Sequence, residues 1–388
     1  MISYFIYCTM MFFEIMLFVV LRNMFAPASV IYAAFLFIIF IKMTSAERKE
    51  AGSGVIYRRI CQTVFAVGFC IAFISDLYDA RGSMSITENA MSNAELPFCH
   101  ITIPQVLTPL LVTKNIIFPA KIIGDYAVVA SMLLIWLVCT LTVGRGWCSW
   151  ICFYGGWEEG FSHLAKKRRL NLLPKNREVR DFHLGFFFFI VLASLCELAC
   201  MYCDWFCPFK LVTEFSPITS IPTLIATVMF IGLFLGLVVM LPILTKKRTQ
   251  CSLLCPYGAF ASLTDRFSLF KIKIDTQKCT GCMKCASTCP FSAIDIKTIQ
   301  DKKGHPELTC AKCGECINTC PQKAISYDFR FLLKGASCGD KVSYLLHPAQ
   351  LFRFAAYTFF VIMSSGFMIK TLNILANAFV NIFSGGAQ

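Results

Sequence analysis

Residues 279–321 hold the runs Cys279-Thr-Gly-Cys282-Met-Lys-Cys285-Ala-Ser-Thr-Cys289-Pro290 and Cys310-Ala-Lys-Cys313-Gly-Glu-Cys316-Ile-Asn-Thr-Cys320-Pro321. Each is a C-x2-C-x2-C-x3-C-P pattern. Three closely spaced thiolates of that pattern embrace one 4Fe-4S cube, and the fourth reaches over to a second cube. The spacing therefore predicts one cluster on Cys279, Cys282, Cys285 and Cys320, and another on Cys310, Cys313, Cys316 and Cys289.

The second run repeats the first at an offset of 31 residues, and the match continues through Thr288/Thr319, Ala293/Ala324 and Ile294/Ile325. That is an internal duplication. Zinc knuckles also use C-x2-C pairs, but they do not account for four-cysteine runs ending in proline. Disulfides are a poor use of eight thiols this dense in a reducing compartment. Over about 60 residues the stretch resembles the soluble bacterial ferredoxins.

Outward from this stretch the composition changes the picture. The 388 residues are 57% hydrophobic and only 15% charged, with 38 Phe, which describes an integral membrane protein rather than two or three soluble domains. We read about seven transmembrane helices, near residues 2–21, 26–43, 60–78, 126–143, 182–206, 221–244 and 352–369. The expected fold is thus a polytopic α-helical membrane protein with an inserted α+β ferredoxin-like domain. Its expected divisions are 1–125 (N-terminal helices and an extracytoplasmic segment), 126–265 (a C-x3-C helical core), 266–332 (the ferredoxin-like domain) and 333–388 (a last helix and tail).

The formal net charge is +13, and the basic residues sit in loops between apolar runs, at Lys42 to Arg59, Lys166 to Arg180 and Lys246 to Arg248. This is the positive-inside bias of a multi-pass protein of the cytoplasmic membrane, with the ferredoxin domain in the cytoplasm. It is not a nucleic-acid footprint. The segment from Asp79 to Asp125 is broken by Pro104, Pro109, Lys114 and Pro119, and reads as a re-entrant or surface piece. Residues 371–383 read as an amphipathic surface helix.

The remaining cysteines fall into patterned and unpatterned groups. Cys148/Cys152 and Cys251/Cys255 are C-x3-C pairs, which on a helix place both sulfurs on one face. Each is led by an arginine or lysine and followed by an aromatic and a glycine, so the two look like related elements that meet to hold one metal centre. Buried small apolar residues are the competing account. Cys196, Cys200, Cys203 and Cys207, the last followed by Pro208, form another candidate ligand set, with a disulfide pair as its alternative. Cys99 fits either a ligand or an ordinary packed side chain, and His100 reads as structural. Cys8, Cys61, Cys70, Cys139 and Cys338 have no patterned neighbours.

The motifs Gly144-Arg145-Gly146-Trp147-Cys148-Ser149-Trp150-Ile151-Cys152 and Cys251-x3-Cys255-Pro256, ahead of a double ferredoxin module, resemble the NapH/MauN/NosR-type membrane polyferredoxin family. Ser149 and Phe153 stand where that family's motif usually has glycine and proline. The resemblance, over about residues 126–330, implies electron transfer at or across the membrane. It also implies a redox partner such as a ferredoxin, a flavodoxin or a membrane or periplasmic oxidoreductase, with quinone as a further candidate. An electron carrier or oxidoreductase subunit is expected rather than a stand-alone enzyme. The rival function is an assembly or regulatory factor that uses its clusters to reduce a metal or sense redox state. Haem attachment, dinucleotide and Walker A motifs are absent from the sequence.

Overall fold

The computed structural model describes residues 2–80, 99–114, 129–170, 176–197, 199–210, 218, 220–296, 299, 304–329 and 347–383. Six helical stretches are long and apolar enough to cross a membrane: Ser3–Leu21, Pro27–Lys49, Val55–Phe73, Arg177–Glu197, Ile221–Thr245 and Pro348–Phe383. Such runs become helices because hydrocarbon offers no partner to a backbone N–H or C=O, and a helix satisfies both internally. The protein is a polytopic α-helical membrane protein with a small α+β module inserted before its last helix.

In chain order the helices are α1 (Ile2–Ile15, continued to Leu21 by a wider π turn), α2 (Pro27–Lys49), α3 (Val55–Ala80), α4 (Ile103–Thr113) and α5 (Val129–Leu141). Then come α6 (Trp147–Trp150), α7 (Phe153–Leu164), α8 (Asn176–Glu197), α9 (Met201–Trp205) and α10 (Ile221–Leu233, extended through Met240). The rest are α11 (Leu241–Thr245), α12 (Thr249–Leu253), α13 (Pro256–Thr264), α14 (Lys284–Thr288), α15 (Glu315–Thr319) and α16 (Pro348–Phe383). Start signals match the sequence: Pro27 opens α2, Pro348 opens α16, and Ser220 with Thr223 forms a capping box on α10.

Three expectations shift. The apolar run after residue 126 is not one straight span: α5 breaks and the segment Gly144–Trp150 leaves it at 107°. Gly144 makes the corner at φ +56, and a Cβ there would lie 2.2 Å from Asp265 Oδ1. The run read as 182–206 ends as a helix at Glu197, so Cys200 to Cys207 lie beyond it. The C-terminal helix continues unbroken to Phe383 instead of handing over to a separate surface helix at 371, and its 36 residues span about 54 Å. Thr371 Oγ1 holds the junction by bonding Gly68 O and Phe367 O. Cys338, residues 81–98 and residues 115–128 lie outside the described residues.

The core between α3, α7 and α16 is aromatic. Phe69 stacks on Phe153 at 3.7 Å, and Phe65 meets Phe153 and Phe360 edge to face. Such pairs add about 0.5–1.5 kcal/mol each beyond burial. Phe153, which departs from the family motif, is thus used for packing.

Strand β1 (Phe270–Ile274) pairs antiparallel with β2 (Ile325–Phe329), Phe270 opposite Phe329 and Ile274 opposite Ile325. Phe270, Ile272 and Ile274 alternate inward while Lys271 and Lys273 face out. The two-stranded ribbon closes the module at both ends of the cysteine stretch. It sits on the start of α16, where Phe352 stacks with Tyr327 at 4.6 Å and meets Phe270 at 5.4 Å.

Candidate iron-sulfur centres

Short helices α14 and α15 carry Cys285 and Cys316 and turn the chain so that each run curls round a common point. Cys279, Cys282, Cys285 and Cys320 line one cavity together with Ile274, Ile299 and Ile325. The other four sulfurs converge likewise: Cys289 acts electrostatically on each of Cys310, Cys313 and Cys316. Cys320 is thus brought together with the first run and Cys289 with the second. Cys316 also lies within electrostatic reach of Cys285, so the two sets adjoin.

The chemistry of these donors fits a cationic cluster. Burial, reinforced by neighbouring sulfur, pushes the Cys285 and Cys310 thiols up to about 11. Buried thiols of this kind ionise when a metal supplies the compensating charge. Backbone N–H groups already point at two of the sulfurs, from Ala293 to Cys289 at 3.3 Å and from Ala324 to Cys320 at 3.4 Å. Amide-to-sulfur bonds of this kind tune cluster potentials.

The two C-x3-C motifs meet. Cys148 and Cys255 act electrostatically on Cys152, Cys255 and Cys152 act on Cys251, and Cys148 acts on Cys255, so the four sulfurs form one group. All four are buried, at 3–8% exposure, among the described helices. Cys152 caps α7 by accepting from Gly155 N at 3.3 Å, and Cys255 caps α13 by accepting from Gly258 N at 3.4 Å.

The group has internal two-fold character, and two arginines express it. Arg248 Nη1 donates to Cys148 O at 2.7 Å, while Arg145 Nη2 donates to Cys251 O at 3.5 Å. Arg248 also grips Glu159, and Arg145 grips Ser262. Every one of these positions is matched at an offset of 103 residues: 145 with 248, 148 with 251, 159 with 262. Each arginine thus reaches across to the other motif. Both are fully buried, at 0% exposure, which places two fixed positive charges beside four potential thiolates.

The ferredoxin module docks on this group. Ser149 Oγ donates to Ala311 O and Trp150 Nε1 donates to Lys312 O at 3.2 Å, so the loop between Cys310 and Cys313 rests on α6. From the other motif, Arg248 N donates to Pro290 O at 3.0 Å and Lys247 Nζ to Cys289 O. Ser149, the second departure from the family motif, is thereby accounted for as a docking contact.

An ion network locks the same interface. Arg58 donates to Glu159 at 2.6 Å, to Glu315 at 3.0 Å and to Ser149 O at 2.6 Å, and Arg59 also pairs with Glu315. Arg58 is a loop cation by sequence, yet it is only 2% exposed. Glu159, His163 and Glu315 lie close enough to hold a metal ion, but Arg58, Arg59 and Arg248 already satisfy the two carboxylates. At the same interface Lys312 pairs with Asp265 at 2.8 Å, and Asp265 also accepts from Arg145 N at 2.8 Å. Burial pushes the Asp265 carboxyl up, but Lys312 and Lys271 outweigh it and hold it below the usual range.

The last cysteine group is only partly as the spacing predicts. Cys200 and Cys207 are buried, Cys203 is half-buried and Cys196 is exposed at the last turn of α8. The segment folds back along α8, with Phe206 against Phe186 at 5.4 Å, so Tyr202 reaches Gln250 next to Cys251. The segment that carries Cys200, Cys203 and Cys207 therefore reaches the C-x3-C motif through Tyr202. All 21 described cysteines are free thiols. His100, read as structural, has Nε2 3.2 Å from Cys152 Sγ. Only its spatial neighbours mark it, because no spacing links it to the cysteine motifs.

Comparison with known proteins adds a family. The 4Fe-4S dicluster domain matches residues 278–324, and the 4Fe-4S binding domain matches 125–171, 182–216 and 226–275. YccM of Escherichia coli (strain K12), named for electron transport, is 29% identical over 180 residues, covering 44% of this chain and 49% of its own. The methylamine utilization ferredoxin-type protein MauN of Paracoccus denitrificans is 44% identical over 55 residues, 14% of this chain and 19% of its own. The regulatory protein NosR of Stutzerimonas stutzeri is 24% identical over 231 residues, 58% of this chain and 28% of its own. The chain thus spans half or less of these relatives' lengths, and no solved structure matches it. The two 4Fe-4S domain matches, the membrane helices and these relatives together make the chain similar to iron-sulfur electron-transport proteins of the membrane polyferredoxin type, with multiple 4Fe-4S clusters.

Proposed function

We propose that this protein carries electrons between the ferredoxin module and a redox partner at or across the membrane, drawing on a cytoplasmic ferredoxin or flavodoxin or on the quinone pool. The carrying observation is the direct docking of the Cys310–Cys313 loop on the helix that holds Cys148, through Ser149 and Trp150. In this reading Cys279, Cys282, Cys285 and Cys320 hold one cluster, Cys310, Cys313, Cys316 and Cys289 a second, and Cys148, Cys152, Cys251 and Cys255 a third. A 4Fe-4S cluster supplies one-electron chemistry with little rearrangement.

The residues supply position and electrostatics. Gly155 and Gly258 donate N–H groups to sulfur and so favour the more reduced, more negative state. Arg145 and Arg248 balance thiolate charge in a medium where an uncompensated charge costs several kcal/mol. Phe291 lies between the second set and the third, with Arg145 at 5.5 Å and Arg248 at 5.2 Å over its ring. It keeps water out of the junction. The basic loops at 42–59, 166–180 and 246–248 support a cytoplasmic module in an inner membrane.

The test uses the whole protein in sealed vesicles, with ferricyanide inside and a reduced low-potential ferredoxin outside. Bleaching of the trapped ferricyanide is expected. Full reduction of every cluster without bleaching would overturn transfer across the membrane.

A second reading, an assembly or regulatory factor, draws on the likeness to a regulatory protein over 58% of this chain. Deleting the gene would then leave a partner enzyme made but lacking its metal. Under the first reading the partner is fully metallated and only its electron supply fails.

A further inference from the structure

The strongest unassigned feature is a set of four thiols that sequence spacing did not assemble. Cys99, from the segment before α4, lies with Cys200, Cys203 and Cys207, and each of the six sulfur pairs among them interacts electrostatically. None of those pairs involves Cys196, which is exposed on α8. Four mutually close sulfurs are what a cube's corner irons require, and Cys200-x2-Cys203-x3-Cys207-Pro208 keeps the ferredoxin spacing for three of them.

Two further observations point to a ligand. Backbone N–H groups of Ile101 and Thr102 are directed at Cys99 sulfur, and those of Phe209 and Lys210 at Cys207 sulfur, repeating the amide-to-sulfur bonds of the other sets. Gln105, 1% exposed, accepts from Cys200 Sγ at 3.0 Å, while its amide nitrogen has no hydrogen-bond partner among the described residues. A buried amide N–H beside sulfur is an outer-sphere donor in want of an anionic acceptor.

We infer that Cys99, Cys200, Cys203 and Cys207 bind a fourth iron-sulfur cluster, with Cys196 outside the ligand set. The inference rests on the electron-transfer reading and extends it to the far end of the route. Three contacts join this set to the C-x3-C sulfurs: Tyr154 Oη lies 3.6 Å from Cys99 Sγ, His100 Nε2 lies 3.2 Å from Cys152 Sγ, and Gln250 donates to Tyr202. One dipeptide, Cys99-His100, touches both sets. A cluster there would extend the route one step beyond the C-x3-C sulfurs.

The test compares wild type, Cys99→Ala and Cys196→Ala, purified anaerobically, by iron and sulfide content and by EPR. Wild type and Cys196→Ala should match at about sixteen irons, and Cys99→Ala should fall to about twelve with the other signals intact. A Cys196→Ala loss with an unaffected Cys99→Ala overturns the inference, and so does a wild-type count of about twelve. A wild-type count of about eight instead overturns the reading on which it rests. Should Cys99→Ala fail to fold, thiol alkylation of the native wild type decides. Cys99 should be protected until iron is chelated, while Cys196 labels at once. Immediate labelling of Cys99, or its recovery in a disulfide, contradicts the site.

Discussion

Arg145 and Arg248 occupy equivalent places in the two C-x3-C motifs and lie over the same ring, that of Phe291, at 5.5 and 5.2 Å. Phe291 follows Cys289-Pro290, so the axis relating the two membrane motifs points at the ferredoxin module. The two halves of the protein are thereby aligned by a shared charge and packing feature, not merely tethered.

Replacing Arg248 tests that alignment. Arg248→Gln removes one of the two donors to Cys148 O, leaving Gln62 Nε2, and leaves Glu159 with fewer cationic partners. We expect the C-x3-C cluster to be lost, about four irons, with the module's about eight retained. Arg248→Lys should rescue only in part, because a point charge cannot span both acceptors as the guanidinium fork does. Iron and sulfide counting reads the result.

The Phe291 ring is 1% exposed and separates the module from the membrane sulfurs. Phe291→Leu keeps the apolar volume but removes a cation–π contact worth roughly 0.5–2 kcal/mol per arginine. All clusters should assemble, and freeze-quench EPR should show slower arrival of electrons at the membrane centre. An unchanged rate would show that the ring has no part in the junction.

Glu315 sits between Cys313 and Cys316 and takes charge from Arg58 and Arg59. Glu315→Gln leaves Arg58 and Arg59 sharing Glu159 alone and should cost about 1–3 kcal/mol. Thermal unfolding in detergent should begin earlier, with the module becoming protease-sensitive before the membrane helices.

Gly155→Ala puts a Cβ 2.7 Å from Cys148 O and 3.0 Å from Arg248 Nη1. Loss of the C-x3-C signal is expected. Gly185, where an added Cβ would meet nothing within 4 Å, is the control, and Gly185→Ala should be neutral or stabilising by up to about 1 kcal/mol.

The ferredoxin runs were legible because their spacing is local: three ligands lie within seven residues, and the fourth is supplied by the duplicate. The spans were legible because hydrocarbon forces long apolar runs into helices. The C-x3-C pairs were legible as partners through their matched flanks, Arg145 with Arg248 and Gly155 with Gly258. What spacing does not contain is tertiary neighbourhood. Cys99 lies about a hundred residues before Cys200, with no flank to match it, and the fold-back of the chain after Glu197 decides that Cys99 joins the set. Arg58 looked like a loop cation because topology rules count charge without seeing that Glu159 and Glu315 would bury it.

Whether the membrane thiols hold clusters continuous with the ferredoxin module is decided by iron and sulfide analysis, with EPR, on the anaerobically purified full-length protein. About sixteen irons with matching sulfide are expected, together with spin coupling between the module and at least one membrane centre. About eight irons, with the signals of an isolated two-cluster ferredoxin, would refute a continuous chain of clusters.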